Sequence, residues 1–130
     1  MKILIDTNVL ISSALFPNSI SSKAYFKAVN NNKVIICDYE LTEMKSVFQK
    51  KFPHKIDALN NFIASKMDCV HIVKVPSRKS KYTIRDMKDE PILRTALYYN
   101  VDIILTGDLD FSAIAMTKPK VVTPSEFLYK

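Results

Sequence analysis

Five short runs of apolar, mostly β-branched residues recur along the chain: Ile3–Ile5, Val34–Cys37, Val70–Val73 around His71, Ile103–Leu105 and Val121–Val122. A run that is apolar at nearly every position belongs to a strand covered on both faces, as in a parallel sheet sandwiched by helices. The intervening segments carry the helical period. Leu41, Met44, Val47 and Phe48 share one helical face, as do Leu59, Phe62, Ile63 and Met67, and then Ile92, Leu93, Ala96 and Leu97. A weaker pattern runs from Ile20 to Val29, with serines beside it to serve as caps. Strands alternating with helices over 130 residues predict one domain, 1–130, folded as a three-layer α/β/α sandwich around a central, mainly parallel sheet of about five strands.

Composition narrows the function classes. With 48% hydrophobic and 25% charged residues the chain reads as globular and soluble. No apolar run approaches the roughly 20 residues of a membrane span. Asp6 interrupts the opening Met1-Lys-Ile-Leu-Ile before a signal peptide could form, so a cytoplasmic protein with no membrane partner is expected. Cys37 and Cys69 lack metal or disulfide spacing and are expected to be buried, inert thiols. His54, after Pro53, and His71, inside an apolar run, read as surface and strand residues. The net charge of +6 suits a polyanionic partner such as nucleic acid. It is concentrated in Ser77–Arg85, where Arg78, Lys79, Lys81 and Arg85 accompany Tyr82 just before an acidic cluster, and Pro76–Lys81 is expected to be an exposed loop.

The acids fall at informative places on this scaffold. Asp6 directly follows the first apolar run, in Ile5-Asp-Thr-Asn8, and Asp108 follows the fourth, in Leu105-Thr-Gly-Asp108. Open α/β sheets bind ligands outside the carboxyl ends of their strands, so these two aspartates belong on one edge. Glu43 lies about 40° around its helix from Val47, flanking the buried stripe within reach of the sheet rim. Asp89 precedes Pro91, which is tolerated only in a first helical turn, and so stands at or beside a helix N-cap. Spacing alone leaves open which edge of the sheet that N-terminus occupies.

Taken in order, Asp6-Thr-Asn-Val-Leu-Ile-Ser12, Glu43-Met-Lys-Ser-Val-Phe48, Asp89-Glu-Pro-Ile-Leu-Arg-Thr-Ala96 and Thr106-Gly-Asp-Leu-Asp-Phe111 resemble the PIN-domain family across nearly the entire chain. The resemblance extends to small bacterial and archaeal members described as toxin components of toxin–antitoxin pairs. It implies a metal-dependent endoribonuclease in which Asp6, Glu43, Asp89 and Asp108 hold Mg²⁺ or Mn²⁺ and a water on the metal attacks the phosphodiester. Asn8 and Thr106 match the polar positions that accompany these acids, and Asp110 is an addition to or substitute for Asp108. The same resemblance implies a homodimer, an antitoxin protein and RNA as substrate, with Arg78, Lys79, Lys81 and Arg85 offered to its phosphates. Hard divalent cations prefer oxygen donors, and an ion is what lets clustered carboxylates stay charged.

Each acid has a competing structural reading. Asp6 can cap a helix from Thr7 onward, Glu40 rivals Glu43 near the apolar face, and Asp86 rivals Asp89 as a cap or as a supporting acid. Asp110 can cap a short helix beginning near Phe111. Arg85-Asp-Met-Lys-Asp-Glu-Pro91 departs from the Asp-Pro arrangement of many relatives, which could shift the helix entry. A second class of function is a catalytically silent RNA-binding or protein-interaction scaffold of the same architecture; retention of four acids weighs against it, since they repel RNA without metal. A phosphatase or receiver domain would need a further acid near the first strand, where this chain has Asn8. Gly107, the only glycine of the chain, reads as a hinge: without a Cβ it lets the chain turn off the strand, approach a neighbour closely and swing Asp108 toward Asp6.

Overall fold

The structure is a computed structural model that describes residues 1–129. Its elements are β1 (Lys2–Ile5), α1 (Thr7–Leu15), α2 (Ile20–Asn31), β2 (Lys33–Cys37), α3 (Asp38–Lys51), α4 (Ile56–Lys66), β3 (His71–Val73), α5 (Glu90–Tyr98), β4 (Ile103–Leu105), α6 (Leu109–Ser112), β5 (Lys120–Val122) and α7 (Pro124–Tyr129). Single 3₁₀ turns at Pro53–Lys55 and Met87–Asp89 lead into α4 and α5. All five apolar runs are strands, and they form one sheet in the order β3-β2-β1-β4-β5 with every neighbouring pair parallel. No helix among the described residues is long and apolar enough to cross a membrane.

Side chains alternate across the sheet, yet both faces are apolar, which is why the runs are unbroken. Ile3, Ile5, Val34, Ile36, Ile103 and Leu105 face a core completed by α1, α2, α3 and α4 through Leu10, Tyr25, Phe48 and Phe62. Leu4, Ile35, Cys37 and Ile104 face the opposite core, closed by Ile92, Leu93 and Ala96 of α5, Phe111 of α6 and Ile84. The Tyr25 hydroxyl ends within this packing by donating to the Lys66 carbonyl at 2.5 Å. Ser19 supplies the expected cap of α2, accepting the Ser22 N–H at 3.1 Å. Asn100 takes up the left-handed conformation after α5 (φ 53°), a position that asparagine tolerates.

Strand order explains the edge that spacing left open. The chain winds from β1 outward to β3, then restarts on the other side of β1 with β4, so the topological switch lies between β1 and β4. A helix connecting parallel strands runs antiparallel to them, which brings the N-terminus of α5 to the carboxyl edge. Asp89 therefore arrives at the same edge as Asp6 and Asp108. One expectation fails here: Cys37 is buried, but Cys69 is exposed, because it falls in the turn after α4 and not in β3.

Leu4 is fully buried on the central strand, against α5. Leu4→Ala should cost about 2–5 kcal/mol of unfolding free energy, because neither adjoining strand can collapse into the void; equilibrium denaturation in urea measures it.

Candidate functional site

Asp6 and Thr106 are the first residues beyond β1 and β4. The pairing of Ile5 with Leu105 sets them side by side, and the Asp6 N–H extends the ladder to the Leu105 carbonyl at 3.0 Å. The Thr106 hydroxyl donates to Asp6 Oδ2 at 2.8 Å and accepts the Asp108 N–H at 2.9 Å. One threonine thus orients two acids. Asp6 stands at the N-cap position of α1, but its side chain makes no cap hydrogen bond. The capping reading of Asp6 is therefore wrong, and its carboxylate is turned to Thr106.

Asp108, Asp110 and Asp89 converge. Each offers an oxygen within 4.8 Å of the other two. Asp108 Oδ1 accepts the Asp110 N–H at 2.8 Å, so Asp108 and not Asp110 caps the short helix, which begins at Leu109 and not at Phe111. Asp110 is also held by Arg85, whose Nε lies 2.9 Å from Oδ1. Asp89 occupies the N-cap position of α5 without capping it, and its Oδ2 is buried with no N–H or O–H to bind. Asp86 instead takes the capping role one turn earlier, accepting the Lys88 N–H at 3.0 Å from an exposed position.

Glu43 is half-buried at the rim, lining a cavity of about 390 Å³ with Tyr39, Thr42, Lys50, Lys51 and Lys88, and its charge is felt by Asp6. Its rival Glu40 is completely buried; Oε1 accepts the Cys37 N–H at 3.1 Å and the Cys37 thiol at 3.5 Å. Glu40 is tied to the start of its own helix. Burial, followed by the charge of Asp6, holds its carboxyl well above the ordinary value. The Cys37 thiol is pushed up to about 12 by burial and by Glu40.

Crowding has electrostatic consequences. Burial raises Asp6 to about 6 despite the Thr106 hydroxyl, with the charges of Asp108 and Glu43 adding to it. Burial raises Asp89 to about 8, helped by a hydrogen bond that its protonated form shares with Asp108 and by the charges of Asp6, Asp108 and Asp86. An all-oxygen cluster with a buried, unpartnered carboxylate oxygen suits a hard divalent cation, which would satisfy that oxygen and remove the repulsion.

Of the four loop cations, only Arg85 meets an acid of this set. Arg78, Lys79 and Lys81 line a separate cavity of about 490 Å³ against Arg94, Leu97 and Tyr98 of α5. Glu90 anchors that loop by accepting the Ser80 N–H at 3.2 Å and pairing with Arg94, which donates to the Pro76 carbonyl at 2.8 Å. Lys50, Lys51 and Lys88 were not singled out from the sequence; the signal available was their recurrence near Glu43 and Asp89. Asn8 is exposed beside Asp108. The hinge reading of Gly107 is not supported. Its φ is not positive, and a Cβ added to it would meet no atom within 4 Å.

Comparison with known proteins agrees with this architecture. The sequence matches the family model of the PIN domain over residues 2–110, and the chain belongs to that family. Its fold is similar to the crystal structure of VapBC2 from Rickettsia felis bound to a DNA fragment from their promoter, at a TM-score of 0.71 and 16% identity over 95% of this chain and 98% of that one. It is also similar to VapC20 of Mycobacterium tuberculosis, a sarcin-ricin loop cleaving toxin, at 0.64 and 13% identity over 85% and 93% of the two chains. No curated protein matches in sequence.

A carboxyl whose pKa is higher in the folded state keeps its proton longer there, so its contribution is complete below the unfolded value and is lost as pH rises through the folded one. With Asp6 raised from 3.8 to about 6 and Asp89 to about 8, the metal-free protein should lose stability from pH 4 to pH 8. Thermal melts in chelator across this range test the sign. Asp89→Asn should reduce the slope above pH 6, where Asp6 has already titrated.

Proposed function

We propose that the protein is a metal-dependent endoribonuclease and the toxin of a toxin–antitoxin pair, with Asp6, Glu43, Asp89 and Asp108 as the residues that hold Mg²⁺ or Mn²⁺. The observation that carries the reading is the convergence of Asp89, Asp108 and Asp110 at the β1–β4 switch, with Asp89 Oδ2 buried and unpartnered. The likeness in fold to VapBC2 and to the sarcin-ricin loop cleaving toxin VapC20 supports the biological setting, to which a protein antitoxin and a cytoplasmic site of action belong as parts of the same proposal. Pairing of two copies into a homodimer belongs to the same proposal.

When bound, the cation supplies a Lewis acid that polarises the phosphodiester and lowers the pKa of a water at neutral pH. The chain's own residues do the rest. Thr106 fixes the direction of Asp6 and the backbone of Asp108, so these two carboxylates are oriented before any ligand arrives. Arg85 holds Asp110 to one side and remains 85% exposed, placing a guanidinium at the edge of the cluster where a phosphate oxygen would approach. Lys88, Lys50 and Lys51 border Glu43 and offer charge to neighbouring phosphates, contacts that carry affinity but no sequence information.

The test is cleavage of structured and single-stranded RNA with Mg²⁺ or Mn²⁺ by wild type and Asp6→Asn. The substitution is expected to lower kcat at least about a hundredfold. Metal-dependent cleavage that survives it overturns the assignment, and failure of both proteins to cut favours the silent scaffold. Lys88→Ala should weaken RNA binding and reduce the slope of log affinity against log salt by about one, as read by titrations at several salt concentrations.

A further inference from the structure

Gly107 poses a question that neither backbone conformation nor packing answers. Its φ is not positive, and a Cβ would meet nothing within 4 Å, so neither the backbone nor the space at Cβ requires glycine. What a side chain would change is the space in front of it. Gly107 walls a cavity of about 270 Å³ together with Asn8, Val9, Ser12, Ser21, Asp108 and Pro124.

The cavity's chemistry is distinctive. It holds no cation, whereas the cavity on the other side of the acids, beside Glu43, carries Lys50, Lys51 and Lys88. Its polar side chains are neutral apart from Asp108. Among the described residues, no hydrogen bond engages the side chains of Asn8, Ser12 or Ser21. Val9 and Pro124 add apolar surface. Unused hydroxyls and an amide around an apolar wall suit an uncharged, flat, hydrogen-bonding group, and the wall offers no cationic side chain to a phosphate.

We propose that this cavity is a nucleoside subsite, which takes the base and ribose adjoining the phosphate held at the acidic cluster, and that Gly107 is a positioning residue whose missing side chain keeps it open. The inference rests on the ribonuclease reading for the identity of the strand. Asn8, Ser12 and Ser21 meet ribose hydroxyls and base edges, while the lysines beyond Glu43 meet phosphates on the opposite side. The strand thereby crosses the acids from a basic flank to a neutral one.

The experiment compares wild type, Gly107→Val and Ser21→Val. A short fluorescent single-stranded RNA is bound in Ca²⁺ at several salt concentrations, Mn²⁺ binding is followed by calorimetry, unfolding by thermal melts and cleavage by gel with Mg²⁺ or Mn²⁺. Both variants are expected to raise the RNA Kd at least about tenfold with an unchanged salt slope, because no phosphate contact is lost. Mn²⁺ affinity and melting temperature are expected to stay at wild-type values. RNA affinity within about twofold of wild type in both variants overturns the subsite. A parallel loss of Mn²⁺ affinity in Gly107→Val also overturns it, since the glycine then serves the ion. If wild type binds the RNA but cuts nothing, the ribonuclease reading falls and the ratio of Kd values still decides the cavity. A wild type that binds no RNA overturns both.

Discussion

The register between β1 and β4 is the constraint on which the site depends. Ile5 opposite Leu105 makes Asp6 and Thr106 neighbours, and from that pair follow the orientation of Asp6 and the anchoring of the Asp108 backbone. A slip of one residue would turn Asp6 to the other face of the sheet. The two cores oppose such a slip from both sides. Ile3, Ile5, Ile103 and Leu105 fill one, while Leu4 and Ile104 fill the other, all of them buried. The unbroken apolar runs are thus also the device that aims the acids.

Holding several carboxylates at one edge is costly, and the molecule offsets the cost in three ways. Burial and neighbouring charge raise the proton affinity of Asp89 and Glu40, which lessens the repulsion, while Asp89 Oδ2 and Glu40 Oε2 stay without a hydrogen-bond partner. Arg85 neutralises Asp110 from a fully solvated position, a screened interaction that orders the side chain more than it stabilises the fold. Hydrogen bonds from Thr106 and the Asp110 N–H satisfy Asp6 and Asp108. None of these satisfies the buried oxygen of Asp89, and that residual demand separates this edge from an ordinary polar loop cluster.

The strands were legible because burial on both faces writes itself as continuous apolar runs. Even a three-residue run, Ile103–Leu105, appears in the sheet at its expected bounds. The placement of Asp6 and Asp108 at the carboxyl edge was legible for the same reason, since Asp6 directly follows one such run and Asp108 comes three residues after the end of another. The short helix α7 was not, because six residues carry too little period. The edge chosen by Asp89 was left open by spacing and settled by direction: a connector between parallel strands must start where the previous strand ends. Asp86 and Asp89 could not be separated by capping logic, as both precede helical turns; three-dimensional convergence separates them. Cys69 shows the opposite failure, a residue assigned by type preference whose turn position exposes it.

Gly107 illustrates how a correct emphasis can carry the wrong reason. A single glycine before two aspartates invites an argument from backbone freedom, yet the backbone there is ordinary and nothing crowds the missing Cβ. What remains is a difference between the two flanks of the acidic edge. On the Glu43 side the walls carry long cationic side chains; on the Gly107 side they are small and, Asp108 apart, uncharged. A polynucleotide alternates charged and uncharged groups along its length, so a surface that reads one nucleotide and merely holds the next needs both kinds of wall. The absent side chain is then a property of the binding surface, not of the chain's path, and selection on it would act through the ligand.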